Sequence, residues 1–384
     1  MAKFALKKEE LAGKERRKNM DGTIFNLADF KDVFSSDSFS LPIRWDGKDF
    51  LQSLRRLYEE YKNNISTLWH HTDAVIDLSP RITHICDEII RSIEIYLNGK
   101  PSDAHRIFDN VFLEYLMTDQ FSIYNTLYDP AILEQKGKTG RSKLFRVRFV
   151  KENKLFNRND IFHTPFSLRN KVATSRYSIA GYPSLYLSTS LELCLEELGY
   201  ELNPGRYICS RFEMVNESRA RIIELGIKPE DFYSALKENN YAKDNNASKR
   251  YSLVNKNLLS NPATIRNYYI WFPLIAACSF MRINKEDPFA VEYVVPQLLM
   301  QSVRKFRANG VFMGIRYFSC SSHYSSELGF NYVFPTNYDG GNDLFCQILS
   351  KAFLLTKPIF LNEYKKISDC ETALRNGTTG LVNT

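Results

Sequence analysis

Two arginines, a tyrosine and a pair of glutamates set the chemistry open to this chain. Arg176 lies in Ser175-Arg176-Tyr177-Ser178, Tyr186 in Ser184-Leu185-Tyr186-Leu187-Ser188, and Glu196 and Glu197 in the segment that follows. Arg146 stands further upstream, in Leu144-Phe145-Arg146-Val147-Arg148-Phe149-Val150. A guanidinium fork fits phosphate oxygens in a bidentate way. With a tyrosine and a carboxylate close by, this is site chemistry for an anionic, aromatic, sugar-containing ligand.

The elements that must hold these residues can be read from pattern. Residues 144–150 alternate, with Phe145, Val147 and Phe149 on one face and Leu144, Arg146, Arg148 and Val150 on the other, which predicts a strand. Gly181-Tyr182-Pro183 signals a turn into a second strand, Ser184–Ser188. Thr189-x-x-Glu192 reads as a capping box opening a helix that Gly199 ends. Leu191, Cys194, Leu195 and Leu198 form its buried face. At roughly 100° per residue, Glu197 lies about 110° from the centre of that face and Glu196 about 150°. Glu197 is therefore expected at the packed border and Glu196 in solvent.

Downstream, residues 239–263 read as an inserted polar loop, and Pro273 as the first turn of a helix through Ala276, Ala277 and Cys278. A helix is expected from Val295 to Asn309, stopped at Gly310. A strand over Val311–Ser319 then ends in the cluster Ser319, Ser321 and Ser322, with Asn331–Phe334 as its partner. Short strands among helices, with no sustained βαβ repeat, predict a mixed α+β domain.

The first third is different. Phe50, Leu51, Leu54, Leu57, Tyr58 and Tyr61 recur at helical spacing, and Ile82, Ile85, Ile89 and Ile93 repeat it. Asn98-Gly99-Lys100-Pro101 stops that helix, and Ser102 is the expected cap of a third. The expected division is a partly ordered basic segment over 1–45, a helical regulatory or interaction domain over 46–135, a polar linker at 135–141, a site-bearing domain over 142–370 and a loose tail over 371–384.

Composition closes several classes. Net charge is +7, partly from seven Lys/Arg against three Glu in the first 20 residues. No interleaving of aromatic and basic residues accompanies them there, so a nucleic-acid partner is not expected. Seven scattered Cys without a Cys-x-x-Cys argue for a reducing compartment and against a disulfide frame or zinc site. His70 and His71 are adjacent on a helix and point about 100° apart, so no metal is expected. There is no secretory signal and no membrane span, which gives a cytoplasmic expectation. No glycine-rich phosphate loop occurs, so side chains must hold any nucleotide.

The ordered set Phe145-Arg146, Ser175-Arg176-Tyr177-Ser178, Gly181-x-Pro183-Ser184-Leu185-Tyr186-Leu187, Cys194-x-x-Glu197 and Gly314-Ile315-Arg316-Tyr317-x-Ser319 resembles the RES domain family, over roughly Ser142 to Phe360. The resemblance implies an ADP-ribosyltransferase-like fold and an enzyme that breaks the nicotinamide–ribose bond of NAD⁺ by hydrolysis or phosphorolysis. NAD⁺ is then a substrate, phosphate a candidate co-substrate, and no cofactor is needed. It further implies a growth-arresting toxin or a phage-defence effector, with an antitoxin or regulatory protein as partner; homo-oligomerisation is left open. Carried over by position, Arg146, Tyr186 and Glu197 are the catalytic set, and Arg176, Tyr177, Ser319 and Ser321 the substrate-binding set. The loop reads Ser-Arg-Tyr where the family has Gly-Arg-Trp, Val147 replaces an aromatic, and Ser319, with Ser321 behind it, stands in for a serine missing near Phe272-Pro273. ADP-ribosyl transfer to a macromolecule and non-catalytic binding of nucleic acid or a protein partner are the alternatives.

Overall fold

The structure is a computed structural model that describes residues 17–18, 24–25, 27–71, 78–116, 124–126, 143–151, 154–199, 206–215, 221–236, 248–254, 259, 262–307, 314–338, 340 and 344–382. The chain forms two compact units. One comprises Met1–Ile123, Lys228–Asn245 and Lys256–Val295; the other comprises Tyr124–Ile227, Asn246–Asn255 and Pro296–Thr384. The fold class is mixed α+β, as expected, but the division is not the contiguous one read from the sequence. The helix Pro262–Ala277 belongs with the N-terminal helices and not with the site-bearing unit. The linker at 135–141 lies outside the described residues, as do most of the basic first 20.

The first unit is built from helices Leu27–Val33, Phe50–His71, Ser79–Leu97, Pro101–Leu116, Pro229–Leu236 and Pro262–Ala277. Leu54, Tyr61, Ile82, Ile85, Ile89 and Ile93 are all buried, so the helical spacing does mark the packed face. Phe30, Val33, Phe34, Phe39, Leu41 and Ile43 are buried as well, so residues 30–43 are core and not a partly ordered segment. Gly99 takes φ +78 and ends the Ser79–Leu97 helix. The next helix starts on Pro101, whose missing N–H costs nothing at that position, so Ser102 lies within the first turn and is not the cap.

Pro273 lies deep inside its helix, not in the first turn. Lacking an N–H, it leaves the carbonyl of Tyr269 without its helical donor. The Tyr61 hydroxyl donates to that carbonyl at 2.7 Å, and Tyr58 donates to the Pro273 carbonyl at 2.7 Å. Tyr61, on the Phe50–His71 helix, thus supplies the donor that the interior proline lacks, and Tyr58 adds a second bond at the same turn. Burial raises the pKa of both well above the usual phenol value.

The second unit carries the sheet. Its strands are β1 (Tyr124–Thr126), β2 (Lys143–Val150), β3 (Ser184–Ser188), β4 (Arg206–Met214), β5 (Arg221–Leu225), β6 (Gly314–Tyr317), β7 (Asn331–Pro335), β8 (Phe353–Thr356), β9 (Ile359–Phe360) and β10 (Thr379–Gly380). The order is β10-β8-β4-β2-β3-β7-β6-β5-β1, with β9 also on β4. The pairings are antiparallel except β5 with β6.

One packed cluster joins Phe145 and Val147 of β2, Leu191, Cys194 and Leu195 of the Leu191–Glu197 helix, Tyr207 and Cys209 of β4, and Cys370 and Leu374 of the Ile367–Asn376 helix. The C-terminus is therefore not a loose tail over 371–384. Arg211 of β4 pairs with Glu213, and donates to the carbonyls of Leu374 (2.8 Å) and Gly377 (2.9 Å). Those bonds, together with β10, dock the chain end onto the sheet.

Candidate functional site

The Leu191–Glu197 helix is capped by Ser190, whose Oγ accepts the Leu193 N–H at 3.2 Å. The expected cap, Thr189, does another job. Its Oγ1 accepts the Phe330 N–H at 2.9 Å, and its own N–H donates to the Phe330 carbonyl at 3.0 Å. Gly329 makes that contact possible. It sits at φ +151, and a Cβ there would lie 2.3 Å from Thr189 Oγ1. The chain entering β7 is thereby fixed against the start of the helix that carries Glu197.

Glu197 ends that helix, and two neutral donors hold its carboxylate. Ser321 Oγ donates to Oε2 at 2.9 Å, and Asn331 Nδ2 donates to Oε1 at 2.8 Å. Asn331 Oδ1 in turn accepts from the Ser188 hydroxyl. Strand register aligns Ser188, Asn331 and Tyr317 across β3, β7 and β6, so the three share one face. Glu197 is more exposed than Glu196, the reverse of the expectation from helix phase. The contacts, not burial, single Glu197 out: one edge is pinned to the sheet and the rest is open to solvent.

Tyr317 is where the expected residues meet. Burial chiefly pushes its phenol pKa well above the usual value, Tyr186 and Glu197 push it further, and Arg176 opposes them. Its hydroxyl is thus within electrostatic reach of all three. Tyr177 is fully buried, and its ring centroid lies 4.6 Å from that of Tyr317. It backs Tyr317 and offers no open face to a ligand.

Arg146 approaches from β2. Its Nη1 donates to the Tyr186 carbonyl at 3.0 Å, and its Nε has no hydrogen-bond partner among the described residues. Burial, reinforced by the neighbouring Arg148, lowers the guanidinium pKa to about 10. A half-buried cation without a counter-charge is a standing demand for an anion. Beneath it, burial pushes the Cys194 thiol up to about 12, and its Sγ bonds to the Phe145 carbonyl at 3.5 Å. It is therefore no thiolate nucleophile at neutral pH.

The serines exchange places relative to the expectation. Ser319 is fully buried; it accepts the Ser321 N–H (3.2 Å) and the Ser325 hydroxyl (2.8 Å). Ser325 also accepts the Ser322 N–H at 3.0 Å, closing a small polar knot. Ser319 thus shapes the loop that presents Ser321, and Ser321 is the serine that reaches the carboxylate. Two residues of the cluster are not among those expected to form the site, Asn331 and Tyr317. A carboxamide opening the otherwise largely apolar strand Asn331–Pro335 is the signal that could have flagged the first.

No protein-family profile matches the chain, and no solved structure does. The chain is similar to the Bacillus subtilis (strain 168) protein named "Putative toxin YopC", at 27% identity over 354 residues, covering 89% of this chain and 73% of that protein.

Proposed function

We propose that the second unit is a RES-type, ADP-ribosyltransferase-like enzyme that cleaves the nicotinamide–ribose bond of NAD⁺, and that the protein is a toxin acting by NAD⁺ depletion. The observation that carries this reading is the grouping of Glu197, Tyr186, Arg176 and Tyr317 beside the unpaired cation of Arg146. Similarity to a protein named as a toxin supports the biological role and an antitoxin-type partner.

In this mechanism Arg146 and Arg176 hold the pyrophosphate by charge-assisted hydrogen bonds. The bond between C1′ and the nicotinamide nitrogen breaks, and its electron pair leaves with nicotinamide. Nicotinamide departs neutral, so no general acid is needed; the positive charge stays on the ribose. Glu197, fixed by Ser321 and Asn331, faces that oxocarbenium-like charge and orients a ribose hydroxyl. Water then adds at C1′ and loses a proton, giving ADP-ribose; phosphate in its place gives the 1-phosphate ester.

The test is purified protein with NAD⁺, with and without phosphate, and product identification. Glu197→Gln keeps the shape and one of the two accepting oxygens but removes the charge, and should lower the rate by about 10²–10³. An unchanged rate removes Glu197 from the mechanism. Label from NAD⁺ appearing on a macromolecule would favour ADP-ribosyl transfer instead.

A further inference from the structure

The first unit contains a cavity of about 360 Å³ that the NAD⁺ chemistry does not use. This is within the size range of small-molecule sites. Trp45, Phe50, Ile283 and Phe289 supply apolar wall, and Ile283 and Phe289 are 54% and 53% exposed. The Trp45 indole N–H donates to the Met281 carbonyl at 3.1 Å, which fixes its ring in place.

One lining group has unspent charge. Glu292 is 4% exposed. One carboxylate oxygen accepts the Ile283 N–H at 3.2 Å, and no described residue donates to the other. No ion pair joins it to either cation of the lining among the described residues. Arg282 is committed to the carbonyls of Asn284 (2.9 Å) and Asp287 and lies over the Tyr293 ring. Lys48 is exposed at the rim. The other two acids are spoken for: Asp49 accepts the Gln52 N–H at 2.9 Å, and Asp287 accepts from Asn284 Nδ2 at 2.8 Å. A nearly buried carboxylate holding one backbone N–H is under-compensated for its lost hydration. A cation entering the cavity would supply the missing charge.

We propose that this cavity is a ligand site for a small organic ammonium compound with an apolar or aromatic body. The ammonium sits on the free oxygen of Glu292 and the body lies among Trp45, Phe50 and Phe289. Rings of this kind also favour a nearby cation through their faces. The site rests on the first unit alone and does not depend on the reaction assigned to the second.

The experiment is a titration of the full chain with 2-phenylethylamine, 2-phenylethanol and 3-phenylpropionate, followed by saturation-transfer NMR. The amine should bind saturably, the alcohol at least tenfold more weakly, and the acid not at all. Glu292→Gln keeps the oxygen that accepts the Ile283 N–H and should weaken the amine at least tenfold. Phe289→Ala changes an exposed side chain, leaves the fold intact, and should weaken the amine several-fold. Equal binding of amine and acid, no amine binding, or an amine affinity untouched by either substitution would overturn the proposal.

Discussion

Replacing Arg146 with methionine should make the free protein more stable while destroying its anion site. Lowering of the guanidinium pKa from its ordinary value to about 10 corresponds to a penalty of about 3 kcal/mol as a ceiling. The head is only half-buried, so solvent screening reduces this to about 2 kcal/mol. Methionine also forfeits the hydrogen bond to the Tyr186 carbonyl, worth about 1 kcal/mol. The net gain is about 1 kcal/mol, or an increase in Tm of about 2–4 °C for a unit of this size. The sign with pH follows from linkage. The folded state binds this proton less tightly than the unfolded chain, so the penalty is fully present below pH about 10 and fades as pH rises from there towards the ordinary guanidinium value. The gain should therefore be level between about pH 6 and about pH 9. Differential scanning calorimetry of Arg146→Met and the parent chain, each with and without ADP-ribose, makes the comparison. ADP-ribose should raise the Tm of the parent and not that of the variant. A variant that melts several degrees lower, or that gains as much from ADP-ribose as the parent, would refute the reading of Arg146 as an unpaired, anion-seeking cation.

Four further outcomes test the supports of the site and the fold. Ser321→Ala removes one donor to Glu197 at little structural cost and should slow NAD⁺ loss by about tenfold, with Tm within about 2 °C of the parent. Ser319→Ala strips the knot beneath and should act in the opposite proportion, lowering Tm through a lost buried partner worth about 1–3 kcal/mol; equal effects of the two on Tm would mean the serines are not divided between contact and support. Tyr61→Phe removes the hydroxyl that donates to the Tyr269 carbonyl beside Pro273 and should destabilise the protein by about 1–3 kcal/mol in urea melts. Gly329→Ala forces a Cβ into Thr189 Oγ1 and should cut both stability and NAD⁺ cleavage, with lowered expression as the first sign.

Much of the fold was legible because its signals are local. The alternation in Lys143–Val150, the 3.6-residue repeats in Ser79–Leu97 and the left-handed glycines at 99 and 199 each report a backbone conformation that neighbouring residues alone dictate. Misreadings came where distant residues decide. Thr189 looked like a cap by spacing, but Phe330 claims its hydroxyl. Pro273 looked like a helix start because the donor that replaces its missing N–H comes from Tyr61, more than 200 positions away. The C-terminal segment looked loose because Arg211, which anchors it, lies far upstream.

The site divides the same way. Residue type, helix phase and the RES resemblance together pointed to Arg146, Arg176, Tyr186 and Glu197, all of which can be read along the chain without its partners in space. Which serine reaches Glu197, and that Asn331 and Tyr317 complete the row, depended on strand register. Register is settled by how β7 pairs with β6 on one side and, across more than a hundred residues of intervening chain, with β3 on the other, and side-chain period along one strand carries no record of its partner.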